Sequence, residues 1–367
     1  MGDLKVDSKD KDAKKYYKLS VQIKYLALTL FVFILIVLFS GGFGLFDLME
    51  GGSFQKNVCG DGTLSDSCSS TKPYFCFEGK LVDSASVCGC SSGFFKKEDS
   101  CFSIYQTEPK KISLNYTLRG KNYSINFTVY RGLADYISNV PRSIRYTYGD
   151  DSSRADFKLK AINEEEQRKL LLPLVIGIQN ITPDKEDQVR IAISIVQNIP
   201  FGASIKTTSF GDYKVNYSRY PYEVLYEMQG ICGEKTDLLA FLLSKLGYGT
   251  SFFYYPLYNH EALGIKCPVK ESIMGSGYCF VETTGPSIIT DNKIYYTGLG
   301  KIYESPEVYP LSNGLSLGNN LYEYSDANRL IKIREAIKRD GQINIFREII
   351  YENLKEKYGL VEYYYSG

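Results

Sequence analysis

Cys232 and His260 are the residues of this sequence best suited to nucleophilic chemistry. His260 is the only histidine in the 367-residue chain, and it follows Cys232. A thiol nucleophile needs a base, and imidazole is the side chain that titrates nearest to neutral pH. If the protein uses cysteine chemistry, His260 is therefore the only imidazole that can serve as the base.

A carboxylate follows these two residues in the order that a thiol triad requires. Glu282 ends a strand-like run that begins at Tyr278. An acid at this point can fix the imidazole tautomer and stabilise the imidazolium. Asp291, in a predicted loop, is a second candidate for the same task. The structural alternatives are a buried core cysteine, a surface histidine and a solvated glutamate at a strand end.

Cys232 is predicted to be the first residue of a helix. The segment behind it has one apolar face at helical spacing, and Gly247 marks its predicted end. That face consists of Leu239, Leu242, Leu243 and Leu246. Unpaired N–H groups and the helix dipole favour an anion at a helix start, so this position favours a thiolate and can hold a developing oxyanion. Gln229 is near in sequence, but no side-chain oxyanion donor can be assigned.

No cofactor site is predicted. A metal site built on Cys232 and His260 is a distant third interpretation, because the sequence offers no clear third or fourth ligand. The formal net charge of +1 also shows no basic footprint for nucleic acid.

The amino-terminal residues predict a membrane anchor. Residues 1–24 carry seven lysines and no arginine, and residues 25–46 are uncharged and strongly apolar. About 20 apolar residues are needed to cross a bilayer. The positive-inside rule places the 1–24 tail in the cytoplasm and everything after residue 46 outside. The alternative is a signal peptide cleaved near residues 40–42. Residues 47–58 are interpreted as a linker.

Six of the nine cysteines fall in a predicted disulfide-rich module, residues 59–104. They are Cys59, Cys68, Cys76, Cys88, Cys90 and Cys101. Such a segment has few aliphatic residues, so disulfides must stabilise it, although the sequence does not choose the pairing. Zinc bound through Cys88 and Cys90 is the competing interpretation. Cys267 and Cys279 bracket a Gly/Ser-rich insert and can pair, which leaves Cys232 as the free thiol.

The rest of the chain divides into three further parts: a small β region at 105–160, a catalytic domain at 161–310 and a helical extension at 311–367. A hairpin is expected over 111–131, with its turn near Gly120. One helix is expected to begin at Asn163 and to be interrupted at Pro173, and the next to be capped by Thr182 and to end at Pro200. Two further helices are expected at 325–340 and 342–356.

Five Asn-x-Ser/Thr sequons follow the predicted anchor and favour an exported, glycosylated face, although such tripeptides arise often by chance. They begin at Asn115, Asn122, Asn126, Asn180 and Asn216.

The motif Gly-Ile-Cys-Gly-Glu-Lys at 230–235, followed by His260 and then Val-Glu-Thr-Thr at 281–284, resembles the transglutaminase-like superfamily. The likeness covers about residues 160–305. It implies a papain-like α+β fold, in which a nucleophile helix packs on an antiparallel sheet. It also implies that Cys232 is the nucleophile, His260 the base and Glu282 the orienting acid.

The sequence departs from the family pattern at two places. The family usually has Asp where this chain has Glu282. The family's histidine is commonly followed by Ala-Trp, but here Glu261 and Ala262 follow. Glu261 is expected to raise the pKa of His260 if it lies close to the ring.

The resulting hypothesis is a membrane-anchored, extracytoplasmic thiol enzyme. It acts on amide or peptide carbonyls through a thioester, with a protein or peptide substrate at the cell surface. The alternative is a catalytically inactive cell-surface scaffold or adhesion protein with the same fold. The sequence does not identify the substrate, the acyl acceptor or the oligomeric state.

Overall fold

Short hairpins and longer helices alternate along the chain, and this computed structural model describes residues 58–361 apart from 145, 148–152, 211–212 and 297–299. The strands are β1 (Tyr74–Phe77), β2 (Lys80–Asp83), β3 (Phe95–Lys97), β4 (Ser100–Phe102), β5 (Pro109–Leu118), β6 (Lys121–Tyr130), β7 (Thr207–Phe210), β8 (Tyr213–Asn216), β9 (Thr250–Tyr255), β10 (His260–Lys266), β11 (Tyr278–Val281), β12 (Tyr295–Tyr296), β13 (Gly300–Lys301) and β14 (Glu307–Ser312).

The helices are α1 (Ala85–Cys88), α2 (Arg131–Ser138), α3 (Arg154–Asn163), α4 (Glu165–Ile181), α5 (Lys185–Asn198), α6 (Pro221–Glu227), α7 (Cys232–Lys245), α8 (Tyr322–Asp340) and α9 (Ile345–Tyr358). Short 3-10 turns lie between β9 and β11. The fold class is therefore α+β, as the sequence predicts.

A four-stranded antiparallel sheet supports one side of the core, in the order β11-β10-β9-β14. Helix α7 packs against this sheet and against α3, α5 and α6. Every residue from Gly233 to Leu243 is buried. A surface helix has one apolar stripe, but here the polar side of the helix is buried too, so its polar residues need partners inside the protein.

The cysteines form four disulfides and leave one free thiol, as the sequence predicts. The disulfides are Cys59–Cys76, Cys68–Cys88, Cys90–Cys101 and Cys267–Cys279. Cys232 is the free cysteine. The zinc interpretation of Cys88 and Cys90 is wrong, because both sulfur atoms are tied up in disulfides and cannot act as thiolate ligands.

The predicted hairpin is formed by β5 and β6, and its turn contains Arg119 and Gly120. Both residues have positive φ, 52° and 79°, which is the backbone of a two-residue turn matched to the twist of a hairpin. Ile112 and Leu114 are buried on the inner face, so the hairpin covers the helical core.

Two predicted helix starts are wrong by a few residues. Asn163 ends α3, and α4 follows with Glu164 as its cap; the Glu164 carboxylate accepts from Gln167 N at 2.8 Å. Asp184, not Thr182, caps α5, and its carboxylate accepts from Asp187 N at 2.9 Å. In both cases a carboxylate closer to the helix accepts the unpaired N–H groups.

Pro173 lies inside α4 and does not interrupt it. Proline removes one helical hydrogen bond, but packing of an apolar face can offset that cost. Leu171 and Leu174 are fully buried on either side of Pro173, whereas Pro173 faces solvent. Downstream, α5 ends at Asn198, before Pro200, as predicted, and the two expected C-terminal helices are α8 and α9.

Within the described ranges, no helix is long and apolar enough to cross a membrane. The predicted tail at 1–24 and anchor at 25–46 lie outside the described residues, as does the 47–58 linker except for residue 58.

Asn180 attaches the disulfide-rich module to α4. Its amide oxygen accepts from Leu81 N at 2.8 Å, and its amide nitrogen donates to Leu81 O at 2.9 Å. Leu81 is buried, so these two bonds satisfy main-chain groups that water does not reach. Asn180 is one of the five sequon asparagines, and a glycan on its amide nitrogen would break this pairing.

Replacing Asn180 by Ala should lower the free energy of unfolding by about 1–3 kcal/mol, since two buried main-chain groups lose their partners. Denaturant unfolding measures this change. The matched control is Asn126→Ala, at an exposed sequon on β6, which should change the free energy by less than about 0.5 kcal/mol. Equal effects of the two substitutions would contradict this account.

Candidate active site

Cys232 is the first residue of α7 and is half-buried. The preceding residue, Ile231, is extended, and its N–H donates to Glu234 Oε2 at 3.0 Å. The first N–H groups of a helix have no acceptor within the helix. The Cys232 sulfur is therefore held where main-chain donors and the positive end of the helix dipole meet.

Arg219 fixes the start of α7 through Glu234. The Arg219 N–H donates to Glu234 Oε1 at 2.8 Å, and its guanidinium donates to Glu234 Oε2 at 3.0 Å. The guanidinium also donates to Glu227 at 2.6 Å and to the carbonyl of Gly202 at 3.0 Å. Arg219 is 1% exposed, so this charge is satisfied entirely by protein groups.

His260 is the first residue of β10 and is 3% exposed. Its Nε2 lies 3.1 Å from Glu282 Oε2. The ring lies beside Tyr255 and Tyr296, with ring centroids 5.9 and 4.7 Å away. Cys232 lies close enough to His260 for its thiol to raise the pKa of the imidazole. The structure thus brings together all three residues that the sequence singled out.

Five hydrogen bonds surround the Glu282 carboxylate. Oε1 accepts from Thr283 N at 2.9 Å, from Thr284 N at 2.8 Å and from Thr284 Oγ1 at 2.7 Å. Oε2 accepts from Tyr296 OH at 2.6 Å and faces His260. Burial alone would raise the pKa of Glu282, but the bonds from His260, Tyr296 and Thr284 lower it to about 2.

An ionised Glu282 only accepts hydrogen bonds, so His260 must carry a proton on Nε2. Burial lowers the pKa of His260, but the neighbouring Cys232 and Glu282 outweigh burial and raise the pKa to about 10. The imidazolium therefore persists through neutral pH.

Glu261 does not face the imidazole. Successive residues of a strand point to opposite faces, and Glu261 lies on the α7 side of β10, where it pairs with Lys158 at 2.5 Å. Burial, Cys232 and Glu282 set the pKa of His260; Glu261 does not meet the condition of lying close to the ring, so the rise expected from it does not apply. The alternative orienting acid, Asp291, is buried against Arg334 at 2.6 Å and is not placed to orient the imidazole.

Lys235 ties helix α7 to the turn that follows Glu282. Its Nζ donates to the carbonyls of Ile199 at 2.6 Å and Thr284 at 3.2 Å. Burial lowers the pKa of Lys235 to about 8, although the charge of Glu282 opposes this change. Thr283 Oγ1 adds a bond to Cys232 O at 3.3 Å. The helix start and the strand end are thus fastened together on both sides of the thiol.

Tyr296 and Thr284 were not identified from the sequence. The Thr-Thr pair after Glu282 is the one local signal, since hydroxyl and N–H groups after a carboxylate often bond back to it. Tyr296 gave no signal, because it is one of 32 tyrosines. Gln229 packs against Gly202, and the structure does not assign it to the site.

Metal ligation has little support in the described part of the chain, where no group of three or more His, Cys, Asp and Glu residues is placed to hold an ion.

Comparisons with known proteins add little to this geometry. No protein-family model matches the chain, and no curated protein matches it. Among solved structures, calcium-bound LapG of Legionella pneumophila is similar to 48% of this chain and 98% of its own, at 12% identity and a TM-score of 0.24. A likeness at that TM-score carries no argument about fold or activity.

Replacing Glu282 by Gln should lower the pKa of His260 from about 10 by one to three units, because the imidazolium loses its ionic partner. As the chain has one histidine, an NMR titration of its imidazole signal reports this residue without assignment. Glu307→Gln on β14 is the control and should leave the titration unchanged. An unchanged pKa in Glu282→Gln would show that the carboxylate does not stabilise the ring.

Proposed function

We propose that this chain is a thiol-dependent enzyme that acts on amide or peptide carbonyls, by hydrolysis or acyl transfer. The proposal rests on one observation: Glu282 is hydrogen-bonded to His260, and His260 lies beside the Cys232 thiol at the amino terminus of a buried helix. In this proposal Cys232 is the nucleophile, His260 the base and acid, and Glu282 the orienting acid, on a papain-like, transglutaminase-like core.

The reaction begins with attack of the Cys232 thiolate on the carbonyl carbon. The developing oxyanion is held by main-chain N–H groups at the start of α7, including that of Cys232. The His260 imidazolium then gives its proton to the departing ammonia or amine, and a thioester remains on Cys232. Water or a substrate amine attacks the thioester and regenerates the thiol.

Tyr296 and the Thr283–Thr284 pair have a supporting task in this mechanism. Their donors hold the Glu282 carboxylate ionised and oriented, so its bond to Nε2 keeps the His260 ring in one orientation. A carboxylate one methylene longer than Asp reaches the ring here because three donors bend it back over the Thr-Thr turn.

The proposed setting is extracytoplasmic, with a protein or peptide substrate and with residues 25–46 as a membrane anchor. Four disulfides beside one unpaired thiol support an oxidising compartment, since structural disulfides persist there.

Iodoacetamide should label Cys232 alone, because the other eight cysteines are in disulfides. The labelling rate at pH 7 should fall at least about tenfold in His260→Ala, because the thiol loses its imidazole partner. Peptide mass spectrometry measures the labelling of each cysteine. Equal rates in the two proteins, or no labelling, would favour the inactive scaffold.

Cys232→Ala should abolish ammonia release and amine incorporation with a glutaminyl peptide, and hydrolysis of a peptide library, by at least about a thousandfold. Ser244→Ala, on the far end of the same helix, is the control and should keep full activity. Activity that survives Cys232→Ala would rule out the thioester mechanism.

A further inference from the structure

Behind the nucleophile helix, on the side of β10 away from His260, lies a buried cluster of three charged residues. Lys158 Nζ of α3 is 2.5 Å from Glu261 Oε2 of β10 and 3.1 Å from Asp237 Oδ1 of α7. It also donates to the carbonyl of Gly233 at 3.2 Å. The three charged side chains are 6–13% exposed, so solvent does little to screen them.

The cluster joins the immediate neighbours of the two reacting groups. Gly233 follows Cys232, and Glu261 follows His260. One ammonium group therefore contacts both segments whose separation sets the distance between sulfur and imidazole. The polar partners of Lys158 named above do not include Cys232 or His260.

The charged ends of the cluster lie close against Gly233. A methyl group added at Gly233 would lie 2.4 Å from Glu261 Oε2 and 3.0 Å from Lys158 Nζ. A side chain at position 233 would therefore push the carboxylate or the ammonium group out of its present place. The glycine after Cys232 and the buried lysine are thus parts of one arrangement.

Lys158 keeps its charge in this environment. Burial lowers its pKa, but Asp237 and Glu261 raise it above the ordinary value for lysine. A buried charge that loses its partner is costly. The cluster therefore favours the geometry in which α7 and β10 stay together over those in which they separate.

We propose that Lys158 is a positioning residue, which holds the Cys232 end of α7 and the His260 end of β10 at a fixed distance by bridging Gly233, Asp237 and Glu261. This inference rests on the proposed thiol chemistry, since it concerns how the same two groups are held.

The test uses two substitutions that change the local charge in opposite directions. Lys158→Met removes a positive charge, and Glu261→Gln removes a negative one. A purely electrostatic effect on the thiol would therefore have opposite signs in the two variants. Loss of positioning predicts the same sign in both, because each variant loosens the contact between α7 and β10.

We expect the rate of Cys232 alkylation by iodoacetamide at pH 6 to fall about tenfold in Lys158→Met and severalfold in Glu261→Gln, in the purified full-length chain. The His260 imidazole should titrate at a lower pH in Lys158→Met. The electrostatic effect of removing a cation would by itself raise the pKa of His260. The direction of the change therefore distinguishes loss of positioning from an electrostatic effect.

Two further variants serve as controls. Lys158→Arg keeps the charge, and a cavity of about 480 Å³ beside the cluster leaves room for the larger group, so it should restore most of the reactivity. Lys160→Met lies on the same helix and lines the same cavity, but its Nζ donates to Ser143 O. It should leave alkylation unchanged.

Wild-type reactivity in folded Lys158→Met and Glu261→Gln would overturn the inference and leave the proposed function intact. If Lys158→Met does not fold, the result for Glu261→Gln tests the inference by itself. Faster alkylation in Glu261→Gln would indicate an electrostatic effect, and unchanged alkylation would exclude a positioning role. An unreactive Cys232 in the wild type would instead refute the proposed function.

Discussion

The first turns of α7 are the constraint on which the rest of the structure depends. A helix that is buried from its second residue onward must satisfy its polar groups inside the protein. Here Glu234 pairs with Arg219, Lys235 with the main chain around Ile199 and Thr284, and Asp237 with Lys158. Each partner comes from a different part of the chain, so satisfying the helix start also fixes α3, α5 and the sheet around one thiol.

Two buried acids near the site, Glu282 and Asp237, differ in the hydrogen bonds that they receive and therefore in their pKa. Glu282 receives five hydrogen bonds, and its pKa falls to about 2. Asp237 is equally buried but has one cationic neighbour, Lys158, and two nearby glutamates, and burial raises its pKa to about 7. The number of hydrogen-bond donors, more than the depth of burial, therefore decides which carboxylate is held ionised beside the histidine.

The disulfides restrict which parts of the protein can take part in this chemistry. Six cysteines stabilise a module with little apolar core, and Asn180 attaches that module to α4. The Cys267–Cys279 bridge joins the ends of β10 and β11 on the strands that carry His260 and precede Glu282. With these eight sulfur atoms paired, thiol reactivity is left to Cys232.

The sequence by itself determined the fold class, the free cysteine, the helix that begins at Cys232 and the order of the three site residues, because these depend on local spacing and on residues that occur once. It misplaced the caps of α4 and α5 by one and two residues, since several carboxylates and hydroxyls compete for the same N–H groups. Tertiary structure alone decided that Tyr296 reaches Glu282, that Glu261 faces away from His260 and that Lys158 lies behind the thiol. Those contacts join residues far apart in the chain, and their distances are set by packing of the buried helix, which no local pattern encodes.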